Sequence, residues 1–385
     1  MRFRTCYCLL IVCLLSGQPV SAQSKPSLGK RLMEMVTNPR MTLDTSAVYR
    51  PRPSWHFSVS GDLRQTGVTQ DFKYYLDPDG RDRIPVSMAM ILKENVYTGL
   101  GFKGGYGGLS LGYSFEVGRK SAGYSKSNAL SYHGAGLLLS FQYHNIRQPL
   151  EYSYKLDTDP DSYEDSGTYG DPGRMKMLIV DGNYTFNRKT FAYSAAYKGN
   201  FFQRRSAGSW MLGAKYLQGE FSMEQKFSGA AGYDFSQLVL TNLRAGTSQA
   251  SVGAGYSLNL VPLHRNPAGK KEKGLRNLTF NLTVLPMLTL FNRQSFAWTY
   301  VDSTGKTVYD DSSAMNARMG FNYTAKAAVA FAWDRYFLNV CSAYDSFYHK
   351  GTIHVPDSAR RISEDITTGG LFTKWSTTLH FMVRF

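Results

Sequence analysis

Four groups of residues in this 385-residue chain have the types and spacing of chemistry. Gly99-Leu100-Gly101-Phe102-Lys103-Gly104 matches G-x-G-x-x-G, by which a strand hands glycine backbone to a helix N-terminus that holds a pyrophosphate. More strand-like sequence follows here, Tyr106 to Gly112, so these glycines are read as a hairpin turn and close strand packing. Asp157, Asp159 and Asp161 have the spacing of the first ligands of a calcium loop. The sixth position, however, is Ser162 in place of Gly, and the twelfth is Thr168 in place of Glu. A solvated acidic loop is the preferred reading, with loose divalent-ion binding as the lesser one.

Asn183-Thr185, Asn277-Thr279, Asn281-Thr283 and Asn322-Thr324 have the form of glycosylation acceptors. Two polar side chains one position apart share a face of a strand, and that simpler meaning is adopted. His144, Ser140 and Gln142 fall on one strand face, and Asp181 and Asn183 on another, which would suit a hydrolase with a nucleophile and a base. A face that is polar because it lines water gives the same pattern, and no short motif singles out a nucleophile. The chain is therefore read as no enzyme, with a barrel hydrolase as a minor alternative. No catalytic residue, cofactor or metal ligand is assigned.

These faces imply strands, and the last fifteen residues show the pattern most clearly. Leu371, Thr373, Trp375, Thr377, Leu379, Phe381, Val383 and Phe385 alternate with Phe372, Lys374, Ser376, Thr378, His380, Met382 and Arg384. A period of two over this length predicts a strand with one oily and one wetter side. Transmembrane strands need about 9–11 tilted residues with aromatics at the membrane interfaces. A chain ending on Phe385 after alternating apolar residues also fits an assembly signal made by Phe381, Val383 and Phe385.

The N-terminus agrees with export. Arg2 and Arg4, the apolar Leu9 to Leu15 and the small-residue site Val20-Ser21-Ala22 predict a signal peptide over 1–22. Cys6, Cys8 and Cys13 lie within it, which leaves Cys341 and no internal disulfide or cysteine metal cluster in the exported chain. No run of about 18 apolar residues follows, so a helical membrane protein is excluded. The 26 Tyr, 23 Phe and 36 Gly, with a mean hydropathy of -0.31, suit strands that face lipid on one side and water on the other.

Residues 23–53 predict a short periplasmic lead-in, with Leu28, Leu32 and Met35 on one helical face before Pro51 to Pro53, and 54–385 an all-β transmembrane antiparallel barrel. Strands are expected at Trp55–Arg64, Val96–Phe102, Leu109–Val117, Lys126–Tyr132, Gly136–His144, Met177–Phe186, Phe191–Asn200, Trp210–Glu220, Ala250–Leu260, Leu278–Leu290, Ala317–Trp333, Phe337–Tyr348 and the C-terminus. Ile84–Leu92 holds Pro85 and is demoted to an edge or loop. Asn145–Arg174 and His349–Gly370 are expected as loops, the first long, mobile and extracellular. Single-chain barrels have even strand numbers, so the range is 12–14; fourteen, with Tyr233–Asn242 added, is favoured.

Two stretches carry a resemblance. NVYTGLGFKGGYGGLSLGYSF (Asn95 to Phe115) and YTFNRKTFAYSAAYKGNFFQRRSAGSWMLGA (Tyr184 to Ala214) are similar to the Bacteroidota outer-membrane β-barrel family known as domain of unknown function 4421. The likeness runs from about Asp44 to Phe385. It implies a barrel and brings no activity with it.

The net charge is +15, and removing Arg2 and Arg4 leaves 15 minus 2, or +13. For an exported protein this points to lipopolysaccharide or anionic solutes, not nucleic acid. Alternation places the cations Arg64, Lys198, Lys215, Arg318, Lys326 and Lys374 toward the lumen, where lipid would charge about 2–4 kcal/mol for each if it faced outward. A porin-like outer-membrane channel, passive or selective, for small solutes that include anions is therefore favoured. The alternative is a non-conducting structural or secretion-associated barrel that binds a periplasmic partner. Expected partners are outer-membrane lipid, lipopolysaccharide and the barrel-assembly machinery.

Overall fold

The computed structural model describes residues 43–385 apart from 52–53, 77–83, 95, 118–122, 135, 149, 159–161, 169–172, 228–238, 266–273, 302–306, 317–319 and 355–364. The chain divides into two units, 1–42 and 43–385. The first, with the expected signal segment and Leu28, Leu32 and Met35, lies outside the described residues.

Alternation decides where the strands form. A two-residue β1 (Val48–Tyr49) precedes β2 (Trp55–Leu76), β3 (Ile84–Glu94), β4 (Tyr97–Tyr106), β5 (Leu109–Glu116), β6 (Tyr124–His133) and β7 (Leu137–Gln148). Then come β8 (Leu150–Thr158), β9 (Ser162–Thr168), β10 (Gly173–Thr185), a 3-10 turn at Tyr193–Ala196, β11 (Phe202–Gln203) and β12 (Ala207–Phe227). The chain continues as β13 (Val239–Arg265), β14 (Arg276–Val301), β15 (Thr307–Asn316), β16 (Phe321–Trp333), β17 (Tyr336–His354) and β18 (Asp365–Arg384). Neighbours pair antiparallel in the order β2, β4, β5, β6, β7, β10, β12, β13, β14, β16, β17, β18. β18 returns to β2 in register from Arg384 opposite His56 to Thr367 opposite Lys73, closing a ring of twelve strands.

Twelve replaces the favoured fourteen. Residues 239–242 of the extra strand proposed at Tyr233–Asn242 are the start of β13, and 233–238 lie outside the described residues. Four strands extend the sheet without entering the ring. β3 pairs with the upper half of β2 and with β8, β9 follows β8, and β15 pairs with the end of β14. The Pro85 segment is thus a strand after all: Pro85 stands second in β3, opposite Tyr75, where a missing N–H costs little. Much of the expected loop Asn145–Arg174 is likewise a ladder, because its Tyr and Thr residues favour strand even where the chain extends past the ring and alternation no longer has to separate two faces. The same applies to the expected loop at 349–370, whose ends belong to β17 and β18.

The end where β2 begins and β18 stops carries tight turns. Gly107, at φ 59°, makes the β4–β5 turn, and Asp334, at φ 50°, makes the β16–β17 turn, a left-handed position that Asp tolerates better than most residues. We call this the near end. The opposite ends of β2, β12, β14 and β17, at Leu76, Phe227, Val301 and His354, mark the far end.

The two faces are reversed relative to a water-soluble fold. Trp55, Leu111, Trp210, Leu282, Leu288 and Phe321 are exposed, while Ser257, Asn259, Thr279, Asn322 and Thr368 are fully buried. Outward aromatics form two belts. Trp333, Tyr336 and Phe381 pack together near one end, and Tyr323 stacks on Tyr344 near the other, with ring centroids 5.6 Å apart. The belts are separated along β16 by about ten residues, the length a transmembrane strand needs. No helix among the described residues is long and apolar enough to cross a membrane; a transmembrane barrel crosses with its strands.

Val329 and Val340 face each other on the outside, about midway between these belts. Replacing Val329 with Arg is expected to destabilise the barrel by about 2–4 kcal/mol in urea unfolding from lipid vesicles. A cost under about 1 kcal/mol would mean that this face does not meet hydrocarbon.

Candidate functional site: the barrel interior

Eight strands give a barrel that facing side chains can just fill; twelve leave space. Here the chain fills the near half itself. Phe191–Asn200, expected as a strand, turns into the lumen with its 3-10 turn, and Phe191 through Ala196 are all buried. The two-residue period was real, but it arose from a segment whose first six residues are buried whichever way they point. Small Ala, Ser and Gly residues between the aromatics permit the tight path.

The wall is shaped to receive it. Inward Ala328, Ala330 and Ala332 of β16 make room for Ala196 and Phe202, together with Leu275, Phe337 and Met382. Phe191 and Tyr193 pack on Leu138, Met211, Leu285 and Met287. Burying each of these large aromatics contributes roughly 1.5–3 kcal/mol. Gln203 ties the insert at both ends: its Oε1 accepts from the Ala192 N–H at 2.9 Å, and its Nε2 donates to Thr190 O at 2.6 Å and Ala47 O at 3.3 Å. Its own carbonyl accepts from Asn277 Nδ2 of the wall at 2.7 Å. β1 pairs with β11, and Asp44 N–H donates to Lys189 O, so the segment before the barrel is fastened to the insert. Two hydrogen bonds from Ser46, with Arg205 nearby, hold the Asp44 carboxyl below its ordinary value.

All eight side chains of the four Asn-x-Thr pairs are buried in the interior. Asn281 Nδ2 donates to Asn259 Oδ1 at 2.7 Å, Thr283 Oγ1 to Asn281 Oδ1 at 2.9 Å, and Asn322 Nδ2 to Ser251 Oγ at 2.6 Å.

The expected lumen cations divide into distinct settings. Lys215 Nζ stands 3.3 Å from Asp181 Oδ1 and bonds Asp345 Oδ1 and Thr324 Oγ1, the last at 2.9 Å. Lys326 lies beside them, lining with Asp181, Tyr193, Met211 and Lys215 a cavity of about 10 Å³, roughly the room that one water needs. Arg64 is 3.6 Å from Glu94 Oε1, donates to Ser125 Oγ at 2.7 Å and to His144 Nδ1 at 2.9 Å, and lies 4.3 Å from the Tyr97 ring centroid. Lys374 Nζ reaches His144 Nε2 at 3.2 Å and Gln142 Oε1 at 3.4 Å. Lys198 is in the lumen as a residue of the insert, not of a strand, and donates to Ser110 Oγ at 3.4 Å. Arg318 lies outside the described residues.

Most of the remaining candidates take structural roles. Ser140 Oγ accepts from Gln142 Nε2 at 3.2 Å, while His144 is engaged by Arg64 and Lys374 and Asp181 by Lys215, so these residues form no nucleophile–base pair. Gly99 and Gly101 are inward packing positions: a Cβ on Gly99 would stand 2.3 Å from the Tyr97 ring and one on Gly101 2.5 Å from Ser60 Oγ. Asp157 pairs with Lys155 at 3.2 Å on the exposed β8–β9 hairpin, and Asp159 and Asp161 lie outside the described residues. Among the described residues no group of three or more His, Cys, Asp or Glu could hold a metal ion. Phe381 and Phe385 are exposed on the outer face, Phe381 against Tyr336, and the Phe385 N–H donates to Trp55 O at 2.9 Å. Asp345 and Glu94, which neutralise cations, were missed: Asp345 sits at an inward period-two position of β17, and Glu94 at the end of the segment demoted for its proline.

Among solved structures, the chain is similar to the outer membrane protease OmpT from Escherichia coli, at 10% identity and TM-score 0.47, over 86% of this chain and 97% of that one. It is also similar to the β domain of the Bordetella autotransporter BrkA, at 12% identity and TM-score 0.31, over 83% and 99% of the two chains. The Pseudomonas putida toluene transporter TodX matches at 9% identity and TM-score 0.17, over 90% and 93%. No curated protein matches the sequence. A family model described as Domain of unknown function (DUF4421) matches residues 89–353.

Replacing Lys215 with Met would leave Asp181 and Asp345 buried without their cation. The expected loss is about 3–5 kcal/mol in denaturant unfolding, recovered largely when Asp181→Asn and Asp345→Asn are added. A loss below about 1 kcal/mol would show that the pair is solvated.

Proposed function

Because the chain belongs to the family described as Domain of unknown function (DUF4421), whose description assigns no activity, we propose its role from the geometry: a structural or secretion-associated barrel of the outer membrane, non-conducting in this state. The near end, with both the entry and the exit of the barrel strands and the tight turns, faces the periplasm; the long hairpins face outside. One observation carries the reading. The insert 186–206 occupies the periplasmic half of the lumen, buries Phe191, Tyr193 and Phe202, and is bonded both to the wall and to the segment that precedes the barrel. That segment, continuing into residues 23–42, is the natural contact for a periplasmic partner.

A channel for small anions remains the second reading, favoured by Lys103 and Lys198 near the periplasmic mouth, which have no ion pair among the described residues. It requires the insert to leave the lumen, since Lys215 and Arg64 are already matched with carboxylates.

Single-channel recording in a planar bilayer separates the two. The full-length protein should give no discrete conductance steps at 1 M KCl, whereas a variant with residues 190–203 replaced by a short Gly-Ser linker should give them. Steady conductance of the intact protein would overturn the closed-barrel reading.

A further inference from the structure

Above the near-end turns, inward residues of five strands gather with the insert, and two of the side chains meet at one hydroxyl. His56 of β2 lies opposite Gly105 of β4, which lies opposite Ser110 of β5. His56 Nε2 is 3.0 Å from Ser110 Oγ, and Lys198 of the insert reaches the same oxygen at 3.4 Å. Lys103 of β4 points in beside them, its stem lying over Gly112, where a Cβ would stand 2.6 Å from Lys103 Cγ. His133 of β6 and His380 of β18 complete the group, and Asn200 of the insert donates to the His133 carbonyl.

The charge balance here is unlike that of the middle of the lumen. Lys103 and Lys198 lie in each other's field, and both act on His133 and His380. Among the described residues neither lysine has a carboxylate at ion-pair distance. Asp62, the next inward acid on β2, accepts from Ser60 Oγ at 3.4 Å. Among the described residues, two buried ring nitrogens, His133 Nδ1 and His380 Nδ1, have no hydrogen-bond partner, in residues 7% and 4% exposed. Like charges held together beside unpaired ring nitrogens, in space partly removed from water, are costly unless an anion joins them. Lys103 and Lys198 are only half-buried, so a solute can reach them.

We propose that this constellation is a binding site for a small tetrahedral oxyanion of the phosphate or sulfate class, held by Lys103, Lys198 and the three histidines around Ser110. The groups come from four strands and the insert, so they approach from different sides, which suits an anion with several acceptor oxygens better than a monatomic one. The site does not depend on whether the barrel conducts.

The test is a calorimetric titration of the full-length protein, refolded in detergent, with inorganic phosphate in buffer free of phosphate and sulfate. Saturable binding of one phosphate per barrel is expected. Lys198→Gln and Lys103→Gln should each weaken it about tenfold or more, as for loss of one charge-assisted hydrogen bond. Lys155→Gln, on the exposed far hairpin, should leave it within about twofold. Heat-modifiable gel migration verifies that each variant is folded. If either lysine variant fails that check, the intact protein decides by thermal unfolding: phosphate and sulfate should raise the midpoint while chloride at equal ionic strength should not. Absence of saturable heat in the intact protein, equal affinity in folded variants, or a chloride effect as large as that of phosphate would each overturn the site.

Discussion

Closing twelve strands leaves an interior wider than the side chains of opposite walls can span, and the rest of the structure follows from how that space is filled. Water alone would have made a pore. Instead, the chain between β10 and β12 folds inward and supplies Phe191, Tyr193 and Phe202, while the wall retreats to Ala328, Ala330 and Ala332 where they arrive. The insert and the wall are shaped to each other, so neither reads as an ordinary periplasmic turn or an ordinary porin lining.

Filling the lumen with protein changes the electrostatics of everything that points into it. A lysine in open water would contribute to ion selectivity, but Lys215 between Asp181 and Asp345 is a buried pair whose strength depends on complete pairing. Many of the Asn and Thr residues of β13, β14 and β16 obey the same rule: Asn281 bonds Asn259, and Asn322 bonds Ser251. Near the mouth, among the described residues, Lys103, Lys198 and the histidines gather with no carboxylate at ion-pair distance. That imbalance is the ground for the proposed oxyanion site.

The outer face was legible in the sequence because lipid imposes a demand at every second residue. Val329, Phe331 and Phe381 could be placed by counting alone, as could the inward Asn322 and Thr324, and Gly107 and Asp334 mark turns by their backbone needs. What counting could not supply was whatever depends on the third dimension. Phe191 to Asn200 alternates like a strand although Phe191 to Ala196 are buried on both alternating sets. Lys215 and Asp345 are separated by 130 residues, and no pattern along the chain announces that they meet. Above the membrane the demand for alternation lapses, which is why β8 and β9, with Glu151, Ser153 and Lys155 exposed, resembled a loop. The family likeness implied a barrel, and the family model that matches residues 89–353 upheld the family. Neither could say what occupies the lumen.

The central claim is that the insert is a packed part of the closed barrel, and amide hydrogen exchange addresses it most directly. The N–H groups of Phe191, Ala192, Ala195 and Tyr197 are bonded to Asn187 O, Gln203 Oε1, Ala192 O and Ser194 O. In the folded protein these amides should exchange on the slow timescale of the β10 and β12 ladder, hours rather than seconds. Exchange at the rate of a free peptide, with the strands still protected, would mean that the insert is unpacked and the lumen open, and would contradict the closed barrel.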